Sequence, residues 1–167
     1  MYRVKIKRIV EIYDVIQSVS TIPHLLKIEE EATRQRKDIR VLLQFNISGE
    51  KQKVGFRQDE LGEITTSLND SLSVNSRELT DERRAISAVH HVKIIGVMGM
   101  ASRTSDEEIV RKQFRLLKSI RDELRATCPT ITELSMGMSD DYKIALEEGA
   151  TMLRIGRALF NKDYYLD

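Results

Sequence analysis

Cysteine is nearly absent: Cys128 stands alone, which excludes an internal disulfide and any CxxC metal clip. Its place before Pro129, at a helix end, reads as a structural thiol and not a nucleophile. An excess of either charge is missing too. The 27 basic and 26 acidic residues leave a formal net charge of +1 and are mixed along the chain, so no field attracts nucleic acid or an anionic membrane. No apolar run approaches the roughly 20 residues of a membrane helix, and MYRVKIKR at the start lacks the apolar core of a secretory leader. These absences predict a soluble, cytoplasmic protein. His24, His90 and His91 have no acidic or cysteine partner at ligand spacing, so no metal site is expected. Neither GxGxxG nor GxxxxGKS/T follows a strand-like run, which removes support for the usual nucleotide-binding open sheets.

What the chain does have, over a single domain of residues 1–167, is alternation. Short β-rich runs at 12–19, 41–46, 94–98, 131–136 and 151–155 are each followed by a turn or a segment of helical period. Thr21 is a fitting N-cap for the helix after the first run, with Pro23 in its first turn and Leu25, Leu26 and Ile28 apolar. A polar Ser/Asn-rich stretch, 65–80, leads to a helix over 81–91 capped by Thr80. Ser105 and Glu108 form a capping box, and Val110, Phe114, Leu117, Ile120 and Leu124 recur at helical spacing up to Cys128-Pro129. A last helix over 140–148 ends at Gly149. Five βα units in series predict an α/β fold with parallel strands, either a (β/α) barrel of the TIM type or an open parallel sheet.

Two junctions carry the candidate chemistry, LSMGMSDD (134–141) and LRIGRALF (153–160). In barrels, phosphate commonly binds at the loops after the last two strands. Gly156 puts no Cβ in the way, so its own N–H and that of Arg157 can approach an anion, with the Ser135 hydroxyl across from them. The bland alternatives are equally concrete. Gly137 and Gly149 serve as turn glycines, Ser139 as an N-cap, and Met136 and Met138 as core filler. Arg154 shares a strand face with Gly156 and needs an acceptor inside the mouth, which a carboxylate from elsewhere would also supply.

The run LSMGMSDDYKIALEEGATMLRIGRALF resembles the C-terminal signature of the pyridoxal phosphate homeostasis proteins, whose barrel is that of the alanine racemase N-terminal domain. VLLQFNISGEKQKVGF (41–56) resembles that family's Gln-x-Asn strand followed by Gly-Glu-x-x-Lys-x-Gly-Phe, and IIGVM (94–98) its Gly-Leu-Met strand. The resemblance implies that Ser135, Gly156 and Arg157 hold the phosphate of pyridoxal phosphate and that Arg154 faces the pyridine nitrogen. The family usually has threonine where this chain has Arg157. An arginine cannot accept the pyridinium proton, so the ring is a weak electron sink and broad carbanion chemistry is disfavoured.

The same resemblance implies an N-terminally truncated barrel, about five of eight βα units, lacking the segment with the Schiff base lysine. Lys53 is the candidate substitute; its other reading is a loop lysine paired with Glu50. Lys93 precedes its strand and lies at the wrong end. The expectation is a non-catalytic protein of cofactor and amino and keto acid homeostasis that binds pyridoxal phosphate without a covalent bond. It binds neither nucleic acid nor membrane and self-associates to cover missing strands. The alternatives are a fragment of an alanine racemase-like enzyme and a non-enzymatic anion-binding module.

Overall fold

The computed structural model describes residues 3–72 and 90–160. In chain order the described elements are α1 (Arg3–Ile12), β1 (Val15–Val19), α2 (Ile22–Gln35), β2 (Ile39–Phe45), a 3-10 turn (Gln58–Glu60), α3 (Leu61–Leu72), β3 (Val92–Gly99), α4 (Glu107–Thr127), β4 (Glu133–Ser135), α5 (Tyr142–Glu147) and α6 (Arg157–Phe160). The strands pair in parallel in the order β1-β2-β3-β4. Register slips between Val41 and Leu42, where Ile95 of β3 is passed over.

Local rules placed most of these elements. The Thr21 hydroxyl accepts the His24 N–H at 3.2 Å, and Pro23 sits in the first turn of α2. Helix α4 buries Val110, Phe114, Leu117, Ile120 and Leu124, the stripe that the spacing predicts. Each such side chain contributes about 2 kcal/mol of apolar transfer, an upper figure because the unfolded chain is itself partly collapsed. Its cap differs from expectation. Asp106, not Ser105, is the N-cap, and its carboxylate accepts the N–H groups of Glu108 and Ile109 at 3.0 and 3.3 Å. Asp106→Ala is therefore expected to cost about 1 kcal/mol, a Tm drop of roughly 2–4 °C, with Ser105→Ala near neutral in the same melts.

Two other expectations are corrected, and one stretch for which the composition predicts no element acquires one. The run at 12–19 starts as the end of α1, so β1 begins only at Val15. Part of the polar stretch 65–80 is helical. Thr65 and Thr66 donate their hydroxyls to the carbonyls of Leu61 and Gly62, both at 2.8 Å, and Leu61, Ile64 and Leu68 are buried at helical spacing. The second correction is the run at 151–155, which forms an isolated bridge, Ser135 to Met152, in place of a fifth strand. The Thr151 hydroxyl takes the Leu134 N–H that a ladder carbonyl would otherwise accept. Of the helix expected over 81–91, all but the last two residues lie outside the described ones.

The outer face of the sheet carries Ile16, Val19, Val41, Leu43, Val97 and Leu134, which join the helices in one core. The inner face carries Gln17 and Ser135, and these two measure its curvature. Strands one and four of a flat sheet lie roughly 14 Å apart, beyond the reach of a glutamine and a serine. Yet the Ser135 hydroxyl donates to Gln17 Oε1 at 2.7 Å. The sheet is rolled as in a barrel wall.

Candidate functional site

The two junctions singled out in the sequence meet at the C-terminal ends of the strands. Gly137 breaks β4 with φ +91, and a Cβ there would lie 2.6 Å from the Ala145 Cβ and 2.9 Å from Leu153 Cδ2. Only glycine fits, so the chain bends sharply just after Ser135. Arg154 N–H donates to the Gly137 carbonyl at 3.0 Å, which lays the second junction against the first. Ser139 strengthens this joint. Expected as the cap of the helix after it, the hydroxyl instead accepts the Ala158 N–H of α6 at 3.0 Å. Asp141 opens α5, and its carboxylate accepts the Met138 N–H at 2.6 Å. Met136 is core filler as expected, whereas Met138 is exposed.

Ser135 is fully buried, and Arg154 comes straight to it. One guanidinium nitrogen, Nη1, donates to the Ser135 hydroxyl at 2.7 Å, and Nη2 donates to the Gly99 carbonyl at 3.0 Å. Both acceptors are neutral. Burial pushes the guanidinium down from its ordinary value, and the Asp141 carboxylate offsets part of that push. A half-buried cation with no contacting carboxylate among the described residues is costly, and the guanidinium has N–H donors to spare for a further acceptor.

Gly156 follows two residues later, with nothing within 4 Å of where its Cβ would be. Its N–H and that of Arg157 donate to no described acceptor. The Arg157 side chain is engaged: its guanidinium pairs with Asp140, both groups being exposed. Such a pair is weak, so the guanidinium can leave it for an anion, and the backbone N–H is offered either way.

Lys53 lines a cleft of about 780 Å³ together with Arg157, Met138 and Asp141. Its ammonium is 2.6 Å from the Glu50 carboxylate and donates to the Ala101 carbonyl at 3.0 Å. The loop reading of Lys53 is the one observed. Around it, the Gln-x-Asn motif is structural. Gln44 Nε2 donates to the Val54 carbonyl at 2.9 Å, and Asn46 Nδ2 to the carbonyls of Glu50 and Lys53 at 2.9 and 3.1 Å. Both side chains staple the 47–55 loop onto β2. Sequence reasoning missed Gln17, whose only local signal was a polar residue at an inward position of a strand. Among the described residues no group of three His, Cys, Asp or Glu side chains suits a metal ion, and no helix is long and apolar enough to cross a membrane.

Comparison with known proteins agrees with this fold. Residues 2–163 match the family model described as alanine racemase, N-terminal domain. The pyridoxal phosphate homeostasis protein of Vibrio alginolyticus is 29% identical over 161 residues, 96% of this chain and 61% of the relative. That of Aquifex aeolicus is 36% identical over 126 residues, 75% of this chain and 47% of the relative. The chain thus spans about half to three fifths of these relatives' lengths. PipY of Synechococcus elongatus PCC7942, solved without PLP, superposes with a TM-score of 0.78 at 25% identity, covering 96% of this chain and 67% of PipY. The same protein with PLP bound gives a TM-score of 0.74 at 24% identity over the same shares. The rolled parallel sheet is accordingly part of a (β/α) barrel of the alanine racemase type. From the match over nearly its whole length, and from the fold those residues build, the chain belongs to the alanine racemase N-terminal domain family, among whose members it is similar to the pyridoxal phosphate homeostasis proteins.

Proposed function

We propose that this chain binds pyridoxal phosphate non-covalently and serves cofactor and amino and keto acid homeostasis, with no reaction of its own. The observation that carries the reading is Arg154, a half-buried guanidinium whose acceptors among the described residues are both neutral. Gly156 fits the same group, because its open Cβ position lets an anion reach the N–H groups of Gly156 and Arg157. In this reading those two N–H groups and Ser135 hold the phosphate, and Arg154 faces the ring nitrogen. When bound, the group supplies an electron-accepting ring and a reactive aldehyde. A guanidinium neither gives up nor accepts a proton near neutrality, so it solvates the ring nitrogen without protonating it. That property supports a role in holding the cofactor over one in turnover. The Lys53 ammonium, bound to Glu50 and to the Ala101 carbonyl, would have to leave both to reach an aldehyde, which supports non-covalent binding. A cytoplasmic location and self-association belong to the same proposal, the latter because no described strand covers the outer edge of β1.

Titration of the purified chain with pyridoxal phosphate, followed by absorbance, tests the reading. The expected result is saturable binding that inorganic phosphate displaces, with no label on Lys53 after borohydride. Gly156→Val leaves the fold intact, since its Cβ meets nothing, but screens two donors to a charged acceptor. It is expected to weaken binding by roughly tenfold or more. Absence of saturable binding by the unaltered chain would overturn the proposal.

A further inference from the structure

We infer that Gln17 is a positioning residue of the site: its amide oxygen orients the Ser135 hydroxyl, and through it the Arg154 guanidinium. The inference follows from counting protons. Arginine has only donors, so the 2.7 Å contact between Arg154 Nη1 and Ser135 Oγ can be made only with the hydroxyl oxygen accepting. A serine hydroxyl has one proton, and its other partner is Gln17, 2.7 Å away. That proton is available for Gln17, whose amide oxygen is the atom that faces the hydroxyl. The rest of the amide agrees, because Nε2 then faces a weak acceptor, Met152 Sδ, at 3.8 Å. The order is Arg154 to Ser135 to Gln17, each donating to the next.

Two consequences follow for the proposed cofactor site, on which the ligand half of this inference rests. While the relay is made, Ser135 is an acceptor that steadies Arg154, and it donates to a phosphate only by turning its proton away from Gln17. Because Gln17 is neutral, the relay holds the guanidinium in place without cancelling its charge. A carboxylate at position 17 would hold the geometry equally well but neutralise it. An apolar side chain of similar size would fill the space and release the hydroxyl proton.

The test uses the ligand-free chain first. With arginine labelled in ¹⁵N, the Arg154 Nη signals are expected to be separate, because two hydrogen bonds slow rotation of the guanidinium. In Gln17→Leu they should merge, and in Gln17→Glu they should stay separate. A residue that only packs would give the reverse order, with leucine tolerated and glutamate not. Ser135→Ala removes the middle link and should merge the signals as Gln17→Leu does, which keeps the test open if that variant folds poorly. In the titration, Gln17→Leu is expected to weaken pyridoxal phosphate binding by about tenfold, a change of about 1.4 kcal/mol. Unchanged Arg154 signals in both Gln17→Leu and Ser135→Ala, or equal loss in the leucine and glutamate variants, would overturn the inference. Separate Arg154 signals in a chain that binds no pyridoxal phosphate would remove the function proposed above and leave the role of Gln17 standing.

Discussion

Gly96→Ala is expected to destabilise the fold by about 3 kcal/mol or more, lowering Tm by roughly 10 °C, and to remove cofactor binding with it. Gly96 lies on β3 in register with Glu133 of β4, next to the slip at Ile95. A Cβ built there would meet the Glu133 carbonyl oxygen and lie 2.5 Å from the Glu133 Cβ and 2.7 Å from its carbonyl carbon. Two of those three atoms are backbone, so no rotamer change relieves the clash. The strands must separate. Relief would come most readily from β4, which spans only Glu133–Ser135 and pairs through three positions. Because Ser135 ends that strand, the variant should lose the Arg154 contact even where it still folds. Thermal melts with a parallel pyridoxal phosphate titration check this. A variant with unchanged Tm would show that the β3–β4 contact yields without cost.

Glu29→Leu comes second, with an expected loss of about 2–4 kcal/mol. The Glu29 side chain, on α2, is buried and accepts the backbone N–H groups of His90, His91 and Val92 at 2.8 to 3.1 Å. The Thr33 hydroxyl adds a bond at 3.2 Å. These N–H groups begin β3, so one carboxylate ties a helix to the start of a central strand. Val92 is buried and would be left with an unmade bond, whereas His90 is exposed and can turn to water. For that reason the cost is less than three full desolvation penalties. Glu29→Gln keeps one oxygen and should lose about half as much.

The same carboxylate predicts a pH dependence. Burial opposes its ionisation, but the N–H groups of His90, His91 and Val92 and the Thr33 hydroxyl outweigh burial and hold it below its ordinary value. Its folded value is therefore below its unfolded one. The stabilisation is complete above the unfolded value, about pH 4.3, and is lost as pH falls through the folded one. Denaturant melts from pH 7 down to pH 3 should show the gap between the unaltered chain and Glu29→Gln closing in the acid range. A gap that stays constant with pH would refute the ionic character of the bracket.

Much of the architecture was legible in the residues themselves. The stripe on α4 and the Thr21 cap of α2 depend on contacts within one or two turns, so their signals are local and periodic. The parallel order followed from alternation, and the two glycine-bearing junctions stood out because they follow the last two strand-like runs, where barrels commonly bind phosphate. Local signals failed where side chains compete for the backbone. The composition of the Ser/Thr-rich part of α3 signals no element, yet its hydroxyls bond back into the helix. Likewise the run at 151–155 has strand composition, but a threonine hydroxyl replaces its ladder partner.

The sequence by itself thus determined most of the elements, their parallel order and the two junctions that hold the candidate site, because each rests on neighbours a few residues apart. Only the tertiary structure decided what those junctions do. Among the described residues Arg154 finds neutral partners and no contacting carboxylate, Ser135 turns its proton toward Gln17, and Glu29 brackets the start of β3. These contacts join residues 19, 118 and 63 positions apart. No periodicity links such positions. They meet because a parallel sheet twists and rolls, and rolling brings the inward side chains of its first and fourth strands within hydrogen-bonding distance.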